Sequence, residues 1–132
     1  MVCHALQRPA IATALREAWE EVGLAPQGAQ VLGSLPVYTT GSAFNVTPVV
    51  ALVPPQPLKP NPQEVAQVFE VPLAFILDPA NHQRHRMFWQ GREREWFAMP
   101  YKDPHDPLGA EHFIWGATAG MLRNFYRFMA AQ

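Results

Sequence analysis

Apolar positions along this chain recur at two different periods, and the switch between them marks its elements. From Ala10 to Val22 the spacing is helical, with Leu15, Ala18, Trp19 and Val22 on one face. Ala, Leu, Arg and Glu dominate that stretch, and Gly23 stands where a helix stop belongs. Glu17, Glu20 and Glu21 share another face, because positions three and four apart are neighbours on a helix. Val31 to Tyr38 then reads as a strand interrupted by Gly33 and Pro36, followed by a turn at Thr39 to Ser42. Phe44 to Val53 is the strongest strand signal, and its nearly continuous apolar run predicts burial on both faces.

Beyond that strand lies a proline-rich run from Pro54 to Pro62, a stiff connecting loop with apolar runs on either side of it. A strand is predicted over Val65 to Val71, and a short helix from Pro72 to about Asp78-Pro79. His82 to Trp89 and Glu93 to Met99, on either side of Gly91, form a predicted hairpin. A polar loop with Pro104 and Pro107 leads to a closing helix from Phe113 to Phe128, whose apolar face is Met121, Leu122, Phe125 and Phe128. Helices alternate with strands, so the expected class is α/β or α+β, with helices packed on a mixed sheet. Residues 1–132 are expected to form one domain, without internal repeats.

Composition narrows the function classes. The net charge of −1 carries no basic excess, so nucleic acid is not an expected partner. No segment reaches the ~18 apolar residues of a membrane span, and Met1 to Arg16 lacks the pattern of a signal peptide. The lone cysteine, Cys3, has no mate for an intramolecular disulfide and no obvious activating partner. These features make the cytoplasm the expected location.

The stretch that carries chemistry is Arg16-Glu17-Ala18-Trp19-Glu20-Glu21-Val22-Gly23-Leu24. Carboxylates crowded on one helical face repel, each like-charged pair costing a few tenths of a kcal/mol. A hard divalent cation relieves that repulsion, and Mg²⁺ keeps positions for water and substrate phosphates beside its carboxylates. Taken without the rest of the string, the same residues are a solvated acidic face paired with Arg16.

The whole string resembles the second half of the Nudix signature, Arg-Glu-apolar-x-Glu-Glu-x-Gly-apolar, with Ala18 counted as the apolar residue. The resemblance implies that Glu17, Glu20 and Glu21 bind metal, Mg²⁺ or Mn²⁺, with Glu20 also in the catalytic set. It implies that Arg16 braces the helix by pairing with one of these carboxylates, and that Gly23 ends it. The first half of the signature is not met. Counting back from Arg16, Arg8 stands where the signature has Glu, and Val2 where it has Gly. The resemblance therefore implies a partial Nudix-like α/β/α sandwich whose N-terminal strands are missing. A sheet short of strands exposes unpaired backbone, which makes a homodimer an expectation.

Further strings are similar to the coenzyme A pyrophosphatase branch of the family. They are Ala12 to Leu15, Gly41 to Val50, Asn61 to Val65, Val68 to Leu73 and Ile114 to Ala119. The likeness implies attack of water on phosphorus in coenzyme A, a derivative or a related nucleotide, releasing a nucleoside phosphate and a phosphorylated pantetheine. Glu64 and Glu111 are both candidates for the general base. His82, Arg84, His85 and Arg86 form a basic cluster that is either a phosphate contact or a solvated hairpin edge. His112 beside Glu111 is either a proton-transfer aid or structural. Trp89, Trp96, Phe97, Tyr101 and Trp115 are expected in the core, and Tyr38 and Phe44 bracket a turn at a possible pocket mouth. The rival functional reading is a Nudix-like remnant that has lost turnover and serves as a binding or assembly module.

Overall fold

The computed structural model describes residues 8–132 and divides the chain into two compact units, Met1–Glu70 and Val71–Gln132. The readings placed on Val2 and Cys3, and the first seven residues of the stretch read against a signal peptide, lie outside the described residues.

In the first unit, helix α1 (Arg8–Val22) forms where the helical spacing predicts it. Ile11, Ala14, Leu15, Ala18 and Val22 are half-buried, a stripe at steps of three and four. Trp19, expected on that stripe, is 57% exposed. After a short 3-10 turn at Pro26–Gly28 come β1 (Gln30–Ser34), β2 (Tyr38–Thr39), β3 (Asn45–Val46) and β4 (Val49–Leu52). β1 pairs antiparallel with β4, from Gln30 opposite Leu52 to Ser34 opposite Val49, with a bulge between Val31 and Gly33. β2 pairs with β3, Tyr38 opposite Val46. Two long strands were expected here, and two short ladders are observed. Pro36 and Pro48 have no N–H to donate and fall in the gap between the ladders, which a bond from the Leu35 N–H to the Pro48 carbonyl spans at 2.9 Å. β4 is half-buried rather than buried on both faces, with Leu52 57% exposed, and α1 lies against it.

No strand forms over Val65 to Val71. Val65 and Val68 are half-buried while Gln67 and Phe69 are exposed, a spacing of three that a strand's period of two cannot serve. The Val65 N–H instead donates to the Asn61 carbonyl at 2.8 Å, closing a turn.

The second unit begins with the one-turn helix α2 (Leu73–Ile76), introduced by Pro72, and a 3-10 turn at Pro79–Asn81 capped by the Asp78 carboxylate. β5 (Gln83–Trp89) and β6 (Arg92–Tyr101) form the predicted hairpin, and β7 (His112–Trp115) adds to β6. Gln90 and Gly91 both have positive φ, 51° and 74°. That combination is the two-residue turn whose twist matches a hairpin's strands. Helix α3 (Gly116–Ala130) closes the chain. Phe113 to Trp115, expected as its first turn, are strand instead: Ile114 is buried and its neighbours are exposed, the alternation of a sheet. Met99, Tyr101, Ile114 and Ala119 form the core of this unit, with Val71, Phe75, Phe97 and Leu122 packed against them. Trp89 and Trp115, expected inside, are 56% and 60% exposed, on the sheet face opposite this core. The class is α+β as expected, and every described strand pairing is antiparallel.

Candidate functional site

Glu17, Glu20 and Glu21 sit on α1 with exposed side chains. The Arg16 guanidinium lies 3.7 Å from the Glu20 carboxylate, one helical turn along, and both groups are more than half exposed. At such exposure the pair contributes at most about 1 kcal/mol, so its effect is chiefly to orient. Glu20 and Glu21 fall in the last turn of α1, where the helix dipole is negative and where no basic residue is present. Both the dipole and the mutual repulsion of these carboxylates oppose their placement. Helix stability does not explain three acids at this spot.

The helix stops because Gly23 takes φ +70°, the left-handed region. Its N–H donates to the Trp19 carbonyl at 3.0 Å, and the Leu24 N–H to the Ala18 carbonyl at 3.3 Å. The proline-rich run then docks on this helix end. Its residues run antiparallel to 21–28: the Ala25 N–H donates to the Gln56 side chain at 2.9 Å, the Lys59 N–H to the Val22 carbonyl at 2.8 Å, and the Asn61 N–H to the Glu21 carbonyl at 2.7 Å. Carbonyls that a helix C-terminus leaves without partners are thereby satisfied. Pro60 lies between the two donating amides, so the missing N–H falls at the position that makes no such bond.

Asn61 also begins the turn that carries Glu64. Its carbonyl accepts from the Glu64 and Val65 N–H groups at 3.0 and 2.8 Å, and its side-chain oxygen accepts from the Gln63 N–H at 3.1 Å. Glu64 is therefore tied through Asn61 to the end of the helix that bears Glu20 and Glu21, and its own side chain is exposed. Sequence reasoning singled out Glu64 but not Asn61, whose backbone bonds have no signature in residue type.

The carboxylate oxygens of α1 are the donor type that Mg²⁺ or Mn²⁺ takes. Among the described residues, no three His, Cys, Asp or Glu side chains are gathered tightly enough to hold an ion. The donor chemistry and the access fit a cation, while the side chains are spread along the helix surface.

The remaining candidates lie in the second unit. Glu111 is exposed just before β7, and His112 is half-buried opposite Tyr101. The basic cluster is engaged by neighbours on the hairpin and on the helices of this unit, and Arg84 and Arg86 share Glu95. Arg84 pairs with Glu95 at 2.8 Å and Arg86 reaches Glu93 at 3.8 Å, across the hairpin. His85 stacks on Trp96 with ring centroids 4.3 Å apart. His82 donates from Nε2 to the Ile76 carbonyl at 2.7 Å and accepts at Nδ1 from Arg123 at 3.1 Å. Neither partner can take the opposite role, which fixes that tautomer. In the first unit, Arg8 is the exposed first residue of α1, Tyr38 is half-buried in β2, and Phe44 is 70% exposed at the hairpin tip.

No family model matches the chain. It is 38% identical over 114 residues to the uncharacterized Nudix hydrolase NudL of Salmonella newport, and equally to the NudL proteins of Salmonella heidelberg and Salmonella dublin. The chain is similar to proteins named as Nudix hydrolases. The match takes in 86% of this chain and 55% of each relative, so the chain spans about half the length of the curated relatives it matches. With 114 of 132 residues inside the match, residues 19–114 fall within it, and these include the docked loop and Glu20 and Glu21. Among its described residues no helix is long and apolar enough to cross a membrane.

Proposed function

We propose that this chain takes part in divalent-cation-dependent hydrolysis of a diphosphate, with coenzyme A or a derivative as substrate. The observation that carries the reading is the acidic end of α1. Three carboxylates lie on one exposed helix surface, braced by Arg16 and ended by the left-handed Gly23, in a chain related to proteins named as hydrolases of this family. Glu17, Glu20 and Glu21 would hold Mg²⁺ or Mn²⁺, and gathering them requires only rotation of exposed side chains about a fixed helix. A bound ion supplies charge neutralisation to a phosphoanhydride and acidity to a water.

The chain's own residues orient and accept protons. Arg16 holds the Glu20 carboxylate by its ion pair. Glu64, on the turn bound to the same helix end, is the base candidate that the observed contacts favour, because they link it to the acidic helix within one unit. Glu111 remains the rival in the second unit. The substrate is small, and neither nucleic acid nor membrane enters the reading.

The test is turnover of coenzyme A with Mg²⁺, comparing the wild-type chain with Glu20→Gln and following the two phosphate-containing products by chromatography. Loss of a carboxylate ligand is expected to lower the rate roughly 100-fold or more. Equal product from both proteins would count against the proposal. A second reading, a binding or assembly module without turnover, draws on Arg8, which puts a cation on α1 where the signature has a carboxylate. Retained binding of coenzyme A with no hydrolysis would favour it.

A further inference from the structure

We infer that Asn61 is a positioning residue, setting where the Glu64 carboxylate stands relative to the acidic end of α1; the inference rests on the reading of this site as hydrolytic. Asn61 is 40 residues from Glu21 in sequence, yet its N–H donates to the Glu21 carbonyl at 2.7 Å. Through its carbonyl and its side chain it also receives the amides of Gln63, Glu64 and Val65. One residue thus joins the helix that carries the metal-binding candidates to the turn that carries the base candidate. Lys59, two residues earlier, donates to Val22 and stops the loop from pivoting about the single Asn61 bond. Flanking prolines at 60 and 62 stiffen this hinge: Pro62 disfavours the helical region for Asn61, and Pro60 has no amide to offer a competing carbonyl.

The side chain is the part that substitution can address. Its oxygen closes the Asn61–Gln63 turn, a local bond of the kind that Asn and Asp make and Ala cannot. Without it the backbone bonds to Glu21, Glu64 and Val65 remain, but the turn loses the bond at Gln63 and opens more often, so Glu64 is held less firmly beside the acidic helix end. A catalytic group displaced by about 1 Å commonly costs one to two orders of magnitude in rate.

Asn61→Ala and Asn61→Asp are to be compared with wild type and with Glu64→Gln in the full chain. One measurement is hydrogen exchange of the amides of residues 61–65; the other is steady-state turnover of coenzyme A with Mg²⁺. Faster exchange at Gln63, Glu64 and Val65 is expected in Asn61→Ala, with kcat down about 10- to 100-fold and KM within about twofold. Asn61→Asp, which keeps the acceptor oxygen, is expected to restore protection and most of kcat. Glu64→Gln is expected to keep protection and lose kcat. Unchanged exchange in Asn61→Ala would overturn the inference, as would faster exchange with an undiminished kcat. A wild-type chain without turnover would overturn the functional reading, and this inference with it. Turnover in wild type that Asn61→Ala matches would overturn the role of Asn61 alone.

Discussion

At Gly23 and Gly91 the backbone takes a positive φ, +70° and +74°, but the surroundings differ. A Cβ at Gly91 would meet nothing within 4 Å, whereas one at Gly23 would lie 3.2 Å from both Cβ and N of Lys59. Gly91→Ala therefore meets only the conformational penalty, about 1 kcal/mol. Gly23→Ala carries that penalty and also presses on the docked loop, so its cost in chemical denaturation is expected to exceed that of Gly91→Ala by about 1 kcal/mol or more. Equal costs would show that the loop yields freely. Gly23 thus ends the helix and also leaves room for the loop against it, and only the first role follows from its position after Val22.

Among the elements, β6 carries most of the second unit's packing. Met99, fully buried in it, touches a core that also holds Tyr101, Ile114 and Ala119. Met99→Ala is expected to cost about 2–5 kcal/mol, read as a lower urea midpoint with Trp89, Trp96 and Trp115 as fluorescent reporters in that unit. A midpoint within error of wild type would mean that the core collapses to fill the space. The hairpin that supplies β6 was legible beforehand because alternation and Gly91 both speak locally. β7 was not: Phe113, Ile114 and Trp115 run straight into the helical pattern of α3, and only pairing with β6 makes a strand of them. The reverse holds for Val65 to Val71, where valines suggested a strand and a turn took the Val65 amide first.

For the molecule as a whole, the acidic helix end predicts a linkage between cation and stability. Any ion that binds the folded chain and not the unfolded one raises the unfolding free energy, by about 1.4 kcal/mol at ten times its dissociation constant. The melting temperature is expected to rise with Mg²⁺ and to fall back on chelation. That response should be lost when Glu17, Glu20 and Glu21 are all changed to Gln, and its persistence in the triple variant would place the ion elsewhere. The same substitutions remove the repulsion on α1, so the variant without metal is expected to be no less stable than wild type.

The sequence alone determined the acidic helix, its glycine stop, the hairpin and the α+β class, because each depends on periodicity and residue type within a short window. It also determined the resemblance that Arg16 to Leu24 carries, since a side-chain pattern on one helix survives without its partners. Tertiary structure alone decided that the first unit's strands pair as two short ladders and that the proline run lies along residues 21–28. Those outcomes turn on which backbone N–H meets which carbonyl across tens of residues. Every non-proline residue offers the same two backbone groups, so residue type does not encode that choice.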